Sequence, residues 1–286
     1  MRDPVLVVGA GLAGLAAATE LARAGLRAIV ADQARAPGGA IHRQPLSDVE
    51  MPIASPAQQR RWTMLMEEVK SQGERIEIRC ASRYAGIDHQ GMALLTGERS
   101  CLLRPSALVL ATGATERVHP RPGWTLPGVM TAGAIQIQTK TLGAAPQGRI
   151  LLAGSGPLLL AAAANMVDGG NPPVAVIEAA RPFSHAAALA LPGAYLREAA
   201  GYMATLLRAR VPLLTGADLV RIEQGTAGLR AIVGTSRGAR TFEVDVIGLH
   251  DGIRPNDYGA TNAPVPVLRA GDCREALGAR AALADG

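Results

Sequence analysis

The feature that most constrains this chain is an order of elements that occurs twice along it. The first copy consists of a strand, a glycine turn, a helix, a strand and an acid, at Val5–Val8, Gly9–Gly14, Leu15–Ala24, Ala28–Ala31 and Asp32. The second copy consists of the same parts at Arg149–Ala153, Gly154–Gly156, Pro157–Val167, Val174–Ile177 and Glu178. Short apolar strands that alternate with helices form parallel sheets. The repeat therefore predicts an α/β fold with two doubly wound domains.

The last elements of the chain are too few to form a domain of their own. They are a strand at Val265–Ala270 and a helix at Glu275–Leu283. We expect them to complete the first domain, which then comprises residues 1–117 and 250–286, with the second domain (118–249) inserted into it. The other predicted elements are helices at Gln58–Ser71 and Tyr195–Arg210 and strands at Arg75–Cys80, Tyr84–His89, Met92–Thr96, Ala107–Ala111, Leu219–Glu223, Leu229–Val233 and Phe242–Leu249.

The first glycine turn has the spacing of a dinucleotide site. Gly9 makes the tight turn, Gly11 allows backbone to approach a pyrophosphate, and Gly14 allows the helix to pack closely on the strand. The pyrophosphate then lies at the helix N-terminus, where free N–H groups favour negative charge. Asp32 ends the second strand, where it can accept hydrogen bonds from ribose hydroxyls. The predicted contact residues are Gly9, Ala10, Gly11, Leu12, Ala13, Gly14, Asp32 and Gln33.

The second glycine turn departs from that pattern. Leu159 occupies the position of the third glycine, and we expect it to obstruct close packing of helix on strand. Glu178 still offers a partner for a ribose and favours NAD over NADP. Two interpretations stay open: a retained but empty scaffold domain, which the leucine favours, and a site for NAD(H) or another adenine nucleotide.

Charge and cysteine content exclude several classes of function. The net charge is +5 and the isoelectric point about 9.5, but the arginines are scattered, so we predict no nucleic-acid partner. Cys80, Cys101 and Cys273 form no CxxC motif, which argues against a redox disulfide or a local metal centre. The apolar run Pro157–Ala164 is too short to span a bilayer. We expect a cytoplasmic protein, with peripheral attachment to the inner membrane as an alternative.

Three further segments resemble motifs of flavoproteins similar to glutathione and thioredoxin reductases. Ala111-Thr112-Gly113 resembles their second flavin-contacting motif, and Ala270-Gly271-Asp272 resembles the motif whose Asp holds the ribityl chain of FAD. The resemblance implies FAD as the cofactor and a fold of two dinucleotide-binding, Rossmann-like domains. It also implies that a helix N-terminus near Arg274–Ala276 points at the flavin. The site residues implied in these segments and in the loop after Gly38 are Gly39, Arg43, Gln44, Thr112, Gly113, Gly271 and Asp272.

The stretch Ala111–Gln136 resembles the FAD-binding subunits of bacterial heteromeric dye-linked dehydrogenases, including those of opine oxidase, hydrogen cyanide synthase, and L-proline and D-hydroxyproline dehydrogenases. The resemblance implies that an amino acid, opine or imino acid is oxidised at its C–N bond in a second, flavin-containing subunit. It also implies a small [2Fe–2S] subunit. Relatives commonly continue into a cysteine-rich domain, and this chain ends at Gly286, so we expect any iron–sulfur centre to come from a partner.

The sequence offers no nucleophile, paired carboxylates or metal set for substrate chemistry, so we predict no catalytic residue and no metal ligand. His119 and His250 follow predicted strands, and we interpret each as a loop histidine rather than a base. We expect His42 to be a surface or lining residue. Two alternatives to the dehydrogenase subunit remain: a self-sufficient NADH-dependent flavin reductase, and a non-catalytic nucleotide-binding scaffold.

Overall fold

A computed structural model describes residues 3–45, 56–181, 193–256, 262–275 and 279–286. Its helices are α1 (Leu12–Arg23), α2 (Pro56–Ser71), α3 (Ala132–Leu142), α4 (Pro157–Asp168), α5 (Gly193–Arg208) and α6 (Ala279–Asp285). Its strands are β1 (Val5–Val8), β2 (Ala28–Ala31), β3 (Ile76–Arg79), β4 (Ser82–Ile87), β5 (Ala93–Gly97), β6 (Cys101–Leu103), β7 (Ala107–Leu110), β8 (Ala114–Glu116), β9 (Val129–Thr131), β10 (Ile150–Gly154), β11 (Ala175–Glu178), β12 (Leu213–Thr215), β13 (Asp218–Gly225), β14 (Gly228–Thr235), β15 (Gly238–Val244), β16 (Val246–His250), β17 (Ile253–Pro255) and β18 (Val267–Arg269).

The described residues group into two compact units. Unit 1 contains those of Met1–Gln44, Ala54–Thr115 and Ile253–Gly286, and unit 2 contains those of Glu116–Gly252. Unit 1 is thus discontinuous in sequence, and the described part of unit 2 lies between two of its segments along the chain. Strands β8 and β17, where the chain passes between the units, pair as a two-stranded ribbon.

Unit 1 is built on a five-stranded parallel sheet in the order β18-β7-β1-β2-β3. One face carries Val5, Val7 and Val30, which pack against side chains of α1 and α2. The other face carries Leu6 and Leu108, which pack against the antiparallel sheet β4-β5-β6. Both faces are covered, and the central strands are therefore continuous apolar runs rather than alternating ones.

Unit 2 repeats this architecture on a parallel sheet in the order β12-β11-β10-β16-β9. One face, with Ile150 and Leu152, packs against α3, α4 and α5. The other face, with Leu151 and Ile247, packs against the antiparallel sheet β13-β14-β15. Both units are therefore Rossmann-like and three-layered, and the predicted α/β class is confirmed.

Three sequence predictions about elements need correction. The predicted strand Phe242–Leu249 is two strands in different sheets, β15 and β16, because the chain changes layer at Asp245, whose N–H donates to the Arg149 carbonyl. Helix α1 begins at Leu12, so Gly14 lies inside it. The helix predicted from Glu275 begins at Ala279; Gly271–Cys273 forms a 3₁₀ turn, and the N–H groups of the next two residues donate to its first carbonyl.

Helix α3 and its preceding strand β9 were not predicted from sequence. The helix is short, with glycine and several threonine and glutamine residues among its eleven positions, which weakens its apolar period. Thr131 caps it, because the threonine hydroxyl accepts a hydrogen bond from the Ala134 N–H at 3.1 Å. Gly143, in the left-handed region, ends it. Capping therefore fixes both ends of an element that the hydrophobic pattern alone does not reveal.

Candidate functional site

The first glycine turn follows β1 and is shaped by two glycines that the protein itself requires. Gly9 has φ +110°, and a β-carbon there would overlap with the Ala111 carbonyl group. Gly14, in the first turn of α1, faces the carbonyl of Gly9, which leaves no room for a β-carbon. These two positions let the helix lie directly against the strand ends.

Gly11 is different, because nothing in the described protein requires a glycine there. Its φ is −80°, and a β-carbon would find only the Cα of Gly39, at 3.7 Å. An ordinary side chain therefore fits both the backbone and the surrounding protein. The empty space on this side of Gly11 is where the backbone of a dinucleotide-binding turn approaches a pyrophosphate. The residues present thus fit that group.

The N-terminus of α1 has the electrostatic character that an anion needs. No side chain caps the helix, and its first turn contains no acidic residue. The first intrahelical bond runs from the Leu15 N–H to the Gly11 carbonyl at 3.0 Å. The N–H groups of Leu12 and Ala13 precede that bond and belong to the free donors of a helix N-terminus. These donors, with the helix dipole, favour a phosphate at this position.

Asp32 lies directly after β2 and is held by the glycine turn. Its Oδ2 accepts a hydrogen bond from the Ala10 N–H at 2.6 Å, and its Oδ1 accepts one from the Ala34 N–H at 2.7 Å. Each carboxylate oxygen can accept a further hydrogen bond, which leaves capacity for ribose hydroxyls. Gln33 follows it and is exposed.

The loop Gly38–Gln44 packs on the glycine turn. The Gly38 N–H donates to the Ala10 carbonyl at 2.8 Å, and Gly39 lies beside Gly11. His42 is 1% exposed and stacks on Trp62 of α2, with ring centroids 5.0 Å apart and planes 16° from parallel. His42 is therefore a core residue rather than a surface one.

Arg43 and Gln44 lie at the end of that loop. The Gln44 side-chain amide donates to the His42 carbonyl at 3.0 Å, which folds the loop end back on itself. The Nε of Arg43 is buried and makes no hydrogen bond within the described residues. A buried guanidinium nitrogen without a partner is costly, and it fits an anionic group supplied from outside the chain.

The segments Ala111–Gly113 and Ala270–Asp272 meet in the folded unit. The Thr112 hydroxyl donates to the Asn256 carbonyl and contacts the Cys273 Sγ at 3.2 Å. The Asn256 N–H donates to the Gly113 carbonyl at 3.0 Å. Asp272 is half-buried in the 3₁₀ turn that also contains the buried Cys273. The two predicted flavin motifs are thus joined by direct contacts.

Sheet order explains why these segments converge. In a parallel sheet the carboxyl ends of all strands share one edge, and β18, β7, β1 and β2 are consecutive neighbours. Asp272, Thr112, the Gly9–Gly14 turn and Asp32 follow these four strands in that order. The structure therefore brings the predicted residues of unit 1 to one edge, while the helix N-terminus expected near Arg274–Ala276 does not form at Arg274 and Glu275. Ala276 lies outside the described residues.

The cysteines of the described chain are all free thiols: Cys80, Cys101 and Cys273. Burial raises the pKa of the Cys80 thiol, so that it stays protonated at neutral pH. Within the described ranges, no group of three or more His, Cys, Asp and Glu side chains could hold a metal ion.

The second glycine turn, in unit 2, keeps the carboxylate arrangement of the first. Glu178 Oε2 accepts a hydrogen bond from the Gly156 N–H at 3.1 Å, and Oε1 accepts one from the Ala180 N–H at 2.9 Å. Leu159 is fully buried among the side chains of α3, α4 and the sheet. The expectation that this leucine obstructs packing is therefore wrong. Gly156 has φ +119° where Gly11 has −80°, so the chain enters α4 differently and the leucine fits.

His250 is the residue that the sequence interpretation placed wrongly. It is the last residue of β16 and is 2% exposed, rather than in a loop. Its Nδ1 lies 2.9 Å from Glu116 Oε1, and the Glu116 carboxylate accepts the Gly133 N–H near the start of α3. His119, by contrast, is exposed. The contact with Glu116 spans 134 residues, so no local pattern signals it.

The two glycine turns and their acids agree with what comparison with known proteins finds. Residues 3–274 match the sequence profile of the family described as pyridine nucleotide-disulphide oxidoreductase. The chain belongs to this family. Its members are FAD-dependent oxidoreductases, in agreement with the flavoprotein resemblance of the two motifs after β7 and β18.

Two curated relatives match the subunit family that the Ala111–Gln136 stretch resembles. A subunit of the opine oxidase of Agrobacterium tumefaciens (strain Ach5) is 33% identical over 272 residues, which are 88% of this chain and 52% of the relative. The HcnB subunit of the hydrogen cyanide synthase of Pseudomonas aeruginosa is 41% identical over 179 residues, 61% of this chain and 38% of the relative. The chain thus spans about half or less of the length of these relatives, and the predicted resemblance is confirmed.

A solved structure of similar length shows the same fold. Thioredoxin reductase of T. acidophilum has a TM-score of 0.64 at 17% identity, covering 99% of this chain and 93% of that protein. The likeness confirms the two-domain, Rossmann-like architecture. No described helix combines the length and the apolar character that crossing a membrane requires.

Proposed function

We propose that this chain is the FAD-holding, electron-transferring subunit of a heteromeric dehydrogenase that oxidises an amino acid, opine or imino acid at its C–N bond. The observation that carries the proposal is the free space beside Gly11, at a glycine position that the protein itself does not require. The named relatives are subunits of opine oxidase and hydrogen cyanide synthase, which supports a role within a larger enzyme.

Unit 1 is the proposed FAD-binding domain, with boundaries near residues 1–117 and 250–286. The backbone of Gly9–Gly14 would take the pyrophosphate, with Arg43, Gln44 and Gly39 on its outer side, and Asp32 beside Gln33 would take the adenosine ribose. Thr112, Gly113, Gly271 and Asp272 would line the ribityl and flavin end. Bound FAD would supply a carrier that accepts electrons in pairs and releases them singly.

The proposed partners are a second flavin-containing subunit, in which the substrate is oxidised, and a small [2Fe–2S] subunit. We place the complex in the cytoplasm, with peripheral attachment to the inner membrane as the variant of that proposal. The test is to purify the chain alone and together with its co-expressed partners, and to follow dye reduction by proline, hydroxyproline and opines. Turnover is expected only from the complex; full turnover by the chain alone would contradict the separate-subunit proposal.

A second candidate is a self-sufficient NADH-dependent flavin reductase. The observation that favours it is that Glu178 holds the second glycine turn in the same way that Asp32 holds the first. Anaerobic addition of NADH separates the candidates, because a reductase bleaches its flavin rapidly, whereas a partner-fed subunit stays yellow. A purified chain that carries no flavin would instead support the third candidate, a non-catalytic scaffold.

A further inference from the structure

His250 occupies a position in unit 2 that has a counterpart in unit 1. A β-carbon on Gly9 would overlap with the Ala111 carbonyl, and a β-carbon on Gly154 would overlap with the His250 carbonyl in the same way. Ala111 follows β7 and His250 ends β16, each beside the first strand of its repeat. An ionisable imidazole in unit 2 thus stands where unit 1 has a methyl group.

The imidazole faces the side of the turn from which a ligand would approach. A β-carbon on Gly156 would lie 3.6 Å from His250 Nε2, whereas a β-carbon on the equivalent Gly11 meets only the Gly39 backbone. Nδ1 is engaged by Glu116, while Nε2 has no hydrogen-bond partner among the described residues. A nearly buried histidine thus presents an unpaired ring nitrogen to the Gly154–Gly156 turn.

The helix that follows this turn lacks a donor that unit 1 has. Pro157 is the first residue of α4, and proline carries no N–H; the equivalent residue of α1 is Leu12, whose N–H is free. An anion at the second turn would therefore find one fewer backbone donor than an anion at the first. The His250 Nε2 lies where it can supply the missing hydrogen bond when the ring is protonated.

The environment of the ring supports a positive charge on it. Glu116 lies 2.9 Å from Nδ1 and is itself held at the start of α3 by the Gly133 N–H. The other charged groups that flank the position in the described part are Glu178, across Gly156, and Asp251, which is paired with Arg121. Two carboxylates close to the ring favour the imidazolium form, and a phosphate adds to this.

We propose that unit 2 binds the pyrophosphate group of a nucleotide at the Gly154–Gly156 turn, with the protonated His250 as a ligand to the phosphate oxygens. Binding then takes up one proton from solvent, which resides on the imidazole between Glu116 and the phosphate. Glu178 remains the partner for the ribose. The inference concerns unit 2 alone and does not depend on FAD in unit 1 or on the dehydrogenase role.

The test is isothermal titration of the flavin-loaded chain with ADP-ribose, which has the pyrophosphate and ribose but no nicotinamide and therefore cannot reduce a flavin. Titrations in two buffers of different ionisation enthalpy give the number of protons taken up. Affinity is expected to fall about tenfold from pH 6 to pH 8, with uptake approaching one proton per ligand at the higher pH. The flavin absorbance of the same sample reports separately on unit 1.

Three variants localise the effect. His250→Asn keeps a neutral polar group, so it should lose the proton uptake and weaken binding about tenfold at pH 6 while changing little at pH 8. Glu116→Gln should also weaken binding at pH 6, because the imidazolium loses its carboxylate partner. His119→Asn, at an exposed histidine of the same unit, is the matched control and should behave as the wild type.

Several results would overturn the proposal. They are an affinity for ADP-ribose that is the same at both pH values with no proton uptake, a His250→Asn variant that binds as the wild type does, and an absence of binding at millimolar ADP-ribose. A chain that binds ADP-ribose as predicted but holds no flavin would refute only the function proposed for unit 1.

Discussion

Gly9, Gly11 and Gly14 belong to one motif, yet the structure requires them for different reasons. A side chain at Gly9 or Gly14 would overlap with backbone of the same unit, whereas a side chain at Gly11 would meet only open space and Gly39. The sequence pattern predicted all three roles, because the spacing of such a turn is local and depends on few distant residues. Folding and ligand binding can therefore be separated by single substitutions in this turn.

Gly14→Ala is predicted to destabilise the fold. The new β-carbon would overlap with the Gly9 carbonyl, so α1 must move away from the sheet, at a cost of about 3 kcal/mol. The urea midpoint of the flavin-free chain measures this. Gly201→Ala is the matched control, because Gly201 is exposed in α5 with open space around it, and this change should stabilise by about 0.5–1 kcal/mol. Equal effects of the two substitutions would show that the close approach at Gly14 is not what demands glycine.

His250 and Leu159 show where reasoning from the sequence fails at this scale. The burial of His250 depends on Glu116, which is 134 residues away, so the sequence around it resembles an ordinary loop. Leu159 breaks the spacing rule for a third glycine, but the positive φ of Gly156 changes the entry into α4 and accommodates it. A backbone angle of this kind is set by the whole turn and cannot be read from the motif.

At the scale of elements, helix α2 fixes the loop that covers the glycine turn. Trp62 stacks on His42, and such aromatic pairs contribute about 0.5–1.5 kcal/mol beyond the area that they bury. Trp62→Leu should therefore loosen the loop that carries Arg43 and weaken FAD binding by about tenfold or less. Trp62→Phe keeps the stack and should restore most of the affinity. Equal FAD affinity in the wild type and the leucine variant, measured by flavin fluorescence, would argue against a positioning role.

The corner between β15 and β16 is held by an ion pair whose contribution depends on pH. The side chain and backbone N–H of Arg149 donate to Asp245 and lower the pKa of its carboxyl from 3.8 to about 2. The folded state thus holds this proton less tightly than the unfolded state, so the contribution to stability is complete above about pH 4 and is lost as the pH falls through 2.

Asp245→Asn is therefore predicted to lower the unfolding temperature at pH 7 and to have little effect at pH 2. The wild type should lose more stability than the variant between pH 4 and pH 2, because only the wild type has this carboxylate to protonate. Thermal unfolding followed by circular dichroism across that range checks this. A constant difference between the two proteins at all pH values would contradict the assignment.

The same corner explains one limit of sequence reasoning about elements. The apolar residues on both sides of Asp245 form a single β-prone run, but they belong to an antiparallel and a parallel sheet. Most other strands were found within one or two residues, because their apolar runs are buried on both faces and are bounded by glycine or proline. Layer changes depend on tertiary contacts such as Arg149–Asp245, and these leave no period in the sequence.

For the whole molecule, the repeated order of elements carried most of the information. It predicted the α/β class and a doubly wound sheet in each half, and both are confirmed. What the repeat could not predict is how its two copies have diverged in chemistry. Unit 1 presents open space at Gly11, whereas unit 2 presents an imidazole at Gly156. We therefore expect different ligands at two turns that share one architecture.

The measurement that most directly tests the central claim compares the flavin content and stability of the wild type with those of Gly11→Ala. The alanine fits the backbone and the protein, so the flavin-free variant should unfold at the same midpoint as the flavin-free wild type or slightly above it. Its β-carbon occupies the space proposed for the pyrophosphate, so we expect the wild type to be yellow with bound FAD and the variant to bind FAD at least about tenfold more weakly. A Gly11→Ala protein that holds FAD as tightly as the wild type, or a wild type that binds none, would contradict the account.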